Sequence, residues 1–230
     1  REDPRQQVIK ACERALKRHA KELAERERVN DMYELMHELG GDGVVVGVDE
    51  VGRGSVAGPL TVCAVCLPME PRVWGINDSK KLTPARRELL SVKIAEVATA
   101  IGFCHIAPKD IDEMGMARAI RTAVAGAVAD TGLEPDCVLM DGNPLGAVPN
   151  ERDVVKGDAK IACIAAASIM AKVTRDEMMV EYDAEYPEYH LAESKGYASP
   201  EHIEAIRKHG LSPLHRVSFC GNFLQTERLF

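Results

Sequence analysis

The chain has 230 residues, a formal net charge of −7, an apolar share of 46% and only 4% aromatics. That length suits one large domain, or a domain with an appendage, and the apolar share is enough for a real core. The negative charge argues against a general-purpose nucleic-acid binder, which is normally basic, and no run approaches the roughly 18 apolar residues that a membrane helix needs.

In chain order, residues 5–40 read as helical and mostly surface-facing, with Val8, Ile9, Cys12, Leu16 and Leu23 at helical spacing amid dense charge. Asn30 is placed to cap a second short helix that Gly40-Gly41 ends. No N-terminal segment pairs a basic region with an apolar one, so no signal peptide is expected. From residue 43 the texture changes. Residues 43–48 and 59–67 are predicted strands joined by a glycine-rich turn, and 74–82 a loop. Thr83-Pro84 opens a helix in cap-then-proline order and runs to about residue 98. A third strand is expected over 100–106, a short helix over 108–112 and a longer one over 116–130. Residues 136–140 and 153–156 complete five strands. Asp158 then leads a long helix to about residue 182, and Ser199-Pro200 starts a last helix that stops at Gly210. Helix–strand alternation after three leading strands indicates an α/β domain with a mixed five-stranded sheet, and ligands in such sheets gather outside strand ends. The expected division is a helical N-terminal extension over 1–41 and a main α/β domain over 42–230.

The seven cysteines are odd in number and scattered, several of them inside apolar runs where cysteine acts as a small hydrophobe. Cys63 and Cys66 form a C-x-x-C within a strand-like run, where an offset of three sends the side chains to opposite faces. Reduced thiols and a cytoplasmic location are expected. Basic residues cluster at Lys80-Lys81, Arg86-Arg87, Arg207-Lys208-His209 and His215-Arg216, each of which a solvated mixed-charge surface would also explain.

Acids stand where strands or turns meet helices. Asp49-Glu50 ends the first strand, Asp141 ends the fourth in "CVLMDGN", and Asp158 precedes the long helix in "VVKGDAK". Singly each has an ordinary explanation: Asp-Gly is a turn signal, and Asp158 suits a helix N-cap. Together, several like charges at one sheet edge repel unless cations sit among them. Oxygen-only ligands select hard cations such as Mg²⁺ or Mn²⁺, and two such ions about 4 Å apart serve in-line attack on a phosphodiester. Adjacent strand residues point to opposite faces, so the strand must end or bulge at Glu50, or one ion must use its backbone carbonyl. Gly52 and Gly54 make such distortion cheap.

The segments "GVDEVGRGSVAGPL", "INDSKKLTPARRE", "MDGN", "KGDAK…IAAASIMAKVTRD" and "SKGYASPEHIEAIRKHGLSPLHRVSF" resemble bacterial ribonuclease HII in order and rough spacing, over about residues 44–219. The arginine of Gly52-Arg53-Gly54 separates the chain from the related ribonuclease HIII. The resemblance implies a ribonuclease H-like fold, cutting of the RNA strand of RNA–DNA hybrids, and incision at single ribonucleotides in duplex DNA. It implies that Asp49, Glu50, Asp141 and Asp158 are the catalytic, metal-binding acids for Mg²⁺ or Mn²⁺. It makes Gly52, Arg53 and Gly54 the readers of the ribose 2′-hydroxyl and Tyr197 their partner on the next sugar. Asn77, Ser79 and Lys80 match a phosphate-contacting loop, and Ser168 and Lys172 lie in the A-A-A-S helix. The hydroxyl is what separates RNA from DNA at one position. A side chain beside Gly52 or Gly54 is expected to obstruct that approach. Expected partners are RNA–DNA hybrid and ribonucleotide-containing duplex DNA, with no membrane, the protein acting as a monomer.

Residues 192–194 (Ala-Glu-Ser) stand where the family often has basic residues or histidine. Asp176, 18 residues beyond Asp158, is five helical turns away and is assigned a structural role. The C-terminal QTERLF (Gln225–Phe230) bears a faint likeness to sliding-clamp tails, of a kind six residues reach by chance. Two rival functions are another ribonuclease H-superfamily DNA nuclease and a non-catalytic hybrid-binding module. The GRG and K-G-Y elements speak against the first, and the presence of all four acids against the second.

Overall fold

A computed structural model describes residues 4–224. Five strands form one sheet: β1 (Val45–Val51), β2 (Leu60–Cys66), β3 (Ala100–Ile106), β4 (Cys137–Asp141) and β5 (Glu151–Val154), in the order β3-β2-β1-β4-β5. The β1–β2 and β2–β3 pairs are antiparallel, and β1–β4 and β4–β5 are parallel. Helices are α1 (Pro4–Gly40), α2 (Pro84–Val97), α3 (Pro108–Met114), α4 (Met116–Asp130), α5 (Ala162–Glu185), α6 (Leu191–Ser194), α7 (Pro200–His209) and α8 (Val217–Cys220). The α/β class and mixed five-stranded sheet match the sequence expectation.

The central strands are apolar throughout because both sheet faces are covered. Val46, Val48, Val138 and Met140 meet α4 on one face. Val45, Cys137 and Leu139 join α5 and part of α1 on the other. A Cβ on Gly47 would stand 2.3 Å from the Cys163 backbone, so the alanine-rich start of α5 lies directly against β1. Cys63 belongs to the α5-side core and Cys66 to the α4-side core, as the strand period requires, and all seven cysteines are free. A third cluster, with Val56, Ala57, Met179, Tyr189, Leu191 and Ile206, seats the C-terminal helices on the segment between β1 and β2.

Several boundaries differ from expectation. The N-terminal segment is one continuous helix with no break at Asn30, whose Oδ1 accepts from Arg72 Nη1 at 2.6 Å instead of capping. Strand β1 runs on to Val51, and β5 lies two residues earlier than predicted. Asp158 does not cap the long helix. It sits in a 3₁₀ turn (Gly157–Ala159) entered through left-handed Lys156, while α5 starts after Ile161 with no side-chain cap. Thr83 and Ser199 do cap α2 and α7, accepting from Arg86 N–H and His202 N–H. Two short helices, α6 and α8, were not foreseen. No helix among the described residues is long and apolar enough to cross a membrane. The clamp-like Gln225–Phe230 lies outside the described residues.

Only the end of α1 is welded to the core. Val29, Met32, Tyr33 and Met36 are buried, and Tyr33 Oη accepts from Val73 N–H at 2.9 Å, whereas Val8, Ile9, Leu16 and Leu23 stay exposed. Tyr33→Ala should therefore cost about 3–5 kcal/mol in denaturant unfolding, and Leu16→Ala less than about 0.5 kcal/mol. Equal effects would show that the whole helix is packed alike.

Candidate active site

Parallel pairing aligns Val48 with Met140, so the next residues, Asp49 two short of the end of β1 and Asp141 at the end of β4, stand side by side. Both follow the parity of the α5-side core, so their side chains share that face. The β1–β2 ladder continues regularly through Glu50 opposite Val62 and Val51 opposite Thr61. The strand therefore neither ends nor bulges at Glu50, whose side chain leaves on the α4 side and lies 3.6 Å from Arg53 Nη1. Asp141 Oδ1 accepts from Gly157 N–H at 2.7 Å, which holds the K-G-D turn against β4 and brings Asp158 to the same strand ends.

The electrostatics report a crowd of like charges. Burial, then Glu50, push the Asp49 carboxyl up to about 8, against hydrogen bonds from Ser168 and the Glu50 N–H. Glu50 is raised by burial, opposed by Arg53 and reinforced by Asp141. Asp158 is raised by burial, Asp141 and Asp78, with Lys80 opposing. Burial works against the Lys80 ammonium, yet Asp49 and Asp158 hold its proton more firmly than usual. Lys80 Nζ is 4.0 Å from Asp158 Oδ2. Asp78, Lys80, Lys81, Asp141, Gly142, Lys156 and Asp158 line one cleft of about 410 Å³. The donor set is carboxylate oxygen alone, which fits a hard divalent cation. No three His, Cys, Asp or Glu side chains among the described residues converge closely enough to chelate an ion as they stand.

The other predicted residues fall into three places. Ser168 stands between the acids and the 77–80 loop: its hydroxyl lies 2.9 Å from Ser79 Oγ and opposes the rise of the Asp49 carboxyl. Asn77 Oδ1 accepts from Asp78 N–H, shaping that loop. Lys172 is engaged elsewhere, its Nζ 2.6 Å from Asp176 Oδ1, which gives Asp176 an ion-pair role.

The Gly52–Gly54 element and Tyr197 are brought together. Gly196 O accepts from Val56 N–H and Ala57 N–H at 2.9 and 3.1 Å. The fully buried Arg175 donates to Pro59 O, Ala57 O and Ser55 Oγ on one side and to Lys195 O on the other. Its guanidinium carbon lies 5.8 Å from the centre of the half-exposed Tyr197 ring. Arg216, also fully buried, donates to Gly58 O and Arg53 O. The two glycines differ: a Cβ on Gly54 would meet open space. Gly52 has φ +86°, and its Cβ would stand 2.4 Å from Arg175 Nε, so its lack of a side chain serves the fold.

Sequence reasoning did not single out Asp78 and Lys156 in the cleft, nor Arg175 and His202 behind the loops, and it read Lys81, His215 and Arg216 only as members of basic clusters. His215-Arg216, which resembled a basic surface cluster, is buried. Lys156 carried a signal, standing beside Gly157 where a tight turn was needed. A buried arginine inside α5 carried none.

The family model described as Ribonuclease HII matches residues 46–222. Ribonuclease HII of Ruminiclostridium cellulolyticum is 42% identical over 221 residues, covering 95% of this chain and 87% of the relative. That of Geobacillus thermodenitrificans is 42% identical over 222 residues, covering 96% and 86%. With 95% of the chain aligned, the similarity also takes in most of α1. Ribonuclease H2 from Pyrococcus horikoshii OT3 has the same fold, with TM-score 0.67 and 27% identity over 79% of this chain and 99% of that one. A chain of the PCNA:RNase HII complex from Archaeoglobus fulgidus matches in fold with TM-score 0.67 and 24% identity, covering 81% of this chain and 98% of that one.

Two outcomes follow from this geometry. Gly52→Ala should lower stability by about 1–3 kcal/mol through backbone strain and collision with Arg175, while Gly54→Ala should melt with the parent; equal melting would refute the assigned packing. Asp49 binds its proton more tightly folded than unfolded, so its charge costs stability increasingly as pH rises from 3.8 to about 8. With excess chelator, Asp49→Asn should be more stable than the parent at pH 8, with the gap closing toward pH 4. A gap independent of pH would show that Asp49 titrates normally.

Proposed function

The chain belongs to the ribonuclease HII family of metal-dependent endoribonucleases acting on RNA–DNA substrates, and on that premise we propose that its specificity is for the ribonucleotide–DNA junction. It cuts the RNA strand of hybrids and incises 5′ to a single ribonucleotide in duplex DNA, leaving 3′-hydroxyl and 5′-phosphate ends. The observation that carries this is the bonding of two distant segments into one surface. The loop that begins directly after Asp49-Glu50 is tied through Gly196 and Arg175 to Tyr197. A sugar read there would have its phosphate beside the acids.

The residues then divide the work. Asp49, Glu50, Asp141 and Asp158 would hold two ions, Mg²⁺ or Mn²⁺, with Glu50 serving from the opposite face of β1 or through its carbonyl. Such ions, when bound, supply activation of water and charge stabilisation for in-line displacement. Ser168 steadies the Asp49 carboxylate. Asn77, Ser79 and Lys80 face the phosphate backbone, and Lys172 joins them where it yields Asp176. Backbone groups of Gly52, Arg53 and Gly54 meet the 2′-hydroxyl, with the open side of Gly54 giving the close approach. The Tyr197 ring packs on the next sugar. The catalytic unit is 42–230, with 1–41 as its helical extension, and it acts as a monomer in the cytoplasm. The tail Gln225–Phe230 is the segment to examine for clamp binding.

Cleavage of duplexes bearing one ribonucleotide, all DNA or all RNA tests the proposal. Only the first should be cut efficiently, and chelator should abolish cutting until Mg²⁺ or Mn²⁺ is restored. Efficient cutting of all-DNA duplex would point to a DNA nuclease, and no cutting at all to a binding module. Asp141→Asn should lose several kcal/mol of transition-state stabilisation, on the order of a thousandfold in rate. Tyr197→Phe, which loses the hydroxyl that would reach a phosphate, should slow cutting about severalfold, and Tyr197→Ala should do more.

A further inference from the structure

Behind Tyr197 lies a pair of buried imidazoles that the chemistry does not use. His202 is fully buried and His215 nearly so. His202 Nδ1 is 2.9 Å from Tyr197 O, and a carbonyl only accepts, so Nδ1 carries hydrogen. His215 Nδ1 accepts from Ser212 N–H at 3.0 Å, with the Ser212 hydroxyl, at 2.9 Å, turned to donate to the same lone pair, so its hydrogen lies on Nε2. The two Nε2 atoms are 3.1 Å apart. One arrangement satisfies every contact: His215 Nε2–H donates to His202 Nε2, and His202 Nδ1–H donates to Tyr197 O. A second proton on His202 would set two N–H groups head to head. A second proton on His215 would set one against Ser212 N–H. Both rings are therefore neutral, and burial lowers the basicity of each, His215 to about 4 with His202 adding to the effect.

The pair joins the segments that frame the junction reader. His215 bridges Ala57 through its backbone. Its neighbours extend that seam, Gly58 N–H to Leu214 O and Arg216 N–H to Val56 O, both at 2.8 Å. Tyr189 packs edge-on against the His215 ring at 4.7 Å between centroids. The chain Ser212–His215–His202–Tyr197 thus runs from the segment paired with the loop after Gly54 to the backbone of Tyr197.

We propose that His202 and His215 are positioning residues for junction cleavage, a tautomer-locked pair that fixes the Tyr197 backbone relative to the Gly52–Pro59 loop. This rests on Tyr197 being a junction contact. Two neutral rings suit the task because they transmit position through directed hydrogen bonds without adding charge beside the buried Arg175 and Arg216.

Side-chain ¹⁵N NMR of the whole protein at neutral pH should show His202 as the Nδ1–H tautomer and His215 as Nε2–H. The opposite tautomers, or a charged ring, would overturn the proposal. His202→Leu removes the donor to Tyr197 O, and His202→Asn keeps an N–H near the Nδ1 position. The leucine variant should lose about tenfold in kcat/KM on a single-ribonucleotide duplex, the worth of about one buried hydrogen bond. It should lose no more than about twofold within a continuous RNA tract, and the asparagine variant should recover most of the loss. Equal losses on both substrates, or no recovery with asparagine, would make the pair ordinary core. Should the leucine variant not fold, His215→Gln, which keeps a donor toward His202, and His215→Met, which does not, make the same comparison. Tyr197→Ala in the same assay separates the two levels. If it keeps the parent's substrate preference, the role of Tyr197 itself fails. If it loses that preference while the histidine variants keep theirs, only the role of the pair fails.

Discussion

Mutual repulsion among the carboxylates at the ends of β1 and β4 is the constraint around which the molecule is built. Left to themselves, Asp49, Glu50, Asp141 and Asp158 would move apart into water. They stay together because their strands are buried on both faces, and because parallel pairing sets Asp49 beside Asp141. Gly47 allows α5 to lie against β1, which brings Ser168 to the Asp49 carboxylate. Part of the hydrophobic stabilisation is thus offset by charge crowding, and the offset is largest where oxygen ligands are most concentrated. A site that costs stability without a cation is one that a cation can stabilise.

A second layer of polar structure holds the loops proposed as the recognition surface. Arg175 and Arg216 are fully buried, and neither makes an ion pair among the described residues. Burying such charges is costly unless every donor finds an acceptor. Here the acceptors are carbonyls of the loop after β1 and of Lys195. Burial, then Arg175, lower the Arg216 guanidinium to about 10, still charged at neutral pH. Backbone that would otherwise be loose is held by directed bonds, so residues more than a hundred positions apart present one surface. The proposed chemistry sits on strand ends and the proposed recognition on loops clamped by arginine, and the two meet at Glu50-Val51-Gly52.

The division between what was legible in the sequence and what was not follows the range of the interactions. Local signals were readable: the Thr83-Pro84 and Ser199-Pro200 caps, the apolar strands, and acids at their ends. The opposite-face problem at Glu50 was foreseen from strand period, but its outcome depended on whether β2 would keep pairing past Asp49, a tertiary matter. Asn30 has the chemistry of a cap, yet Arg72, 42 residues away, takes its side chain, and the helix continues. Asp158 likewise has cap chemistry, but the turn through Lys156 and the bond from Gly157 to Asp141 place it before the helix. Gly52 was read as a required glycine, but one reason for it was not legible, because the atom its Cβ would meet comes from α5. Arg175 and His202 left no local trace and His215-Arg216 read only as a basic cluster, since their meaning lies in which partners they reach.

The direct test of the central claim is to titrate Mn²⁺ into the parent protein and Asp141→Asn by calorimetry, without nucleic acid. If the carboxylates at the strand ends are a cation site, the parent should bind the ion and the variant should lose most of that binding while keeping the parent's fold. Undiminished binding by a folded Asp141→Asn would contradict the account, because the crowded charges on β1 and β4 would then have some other purpose.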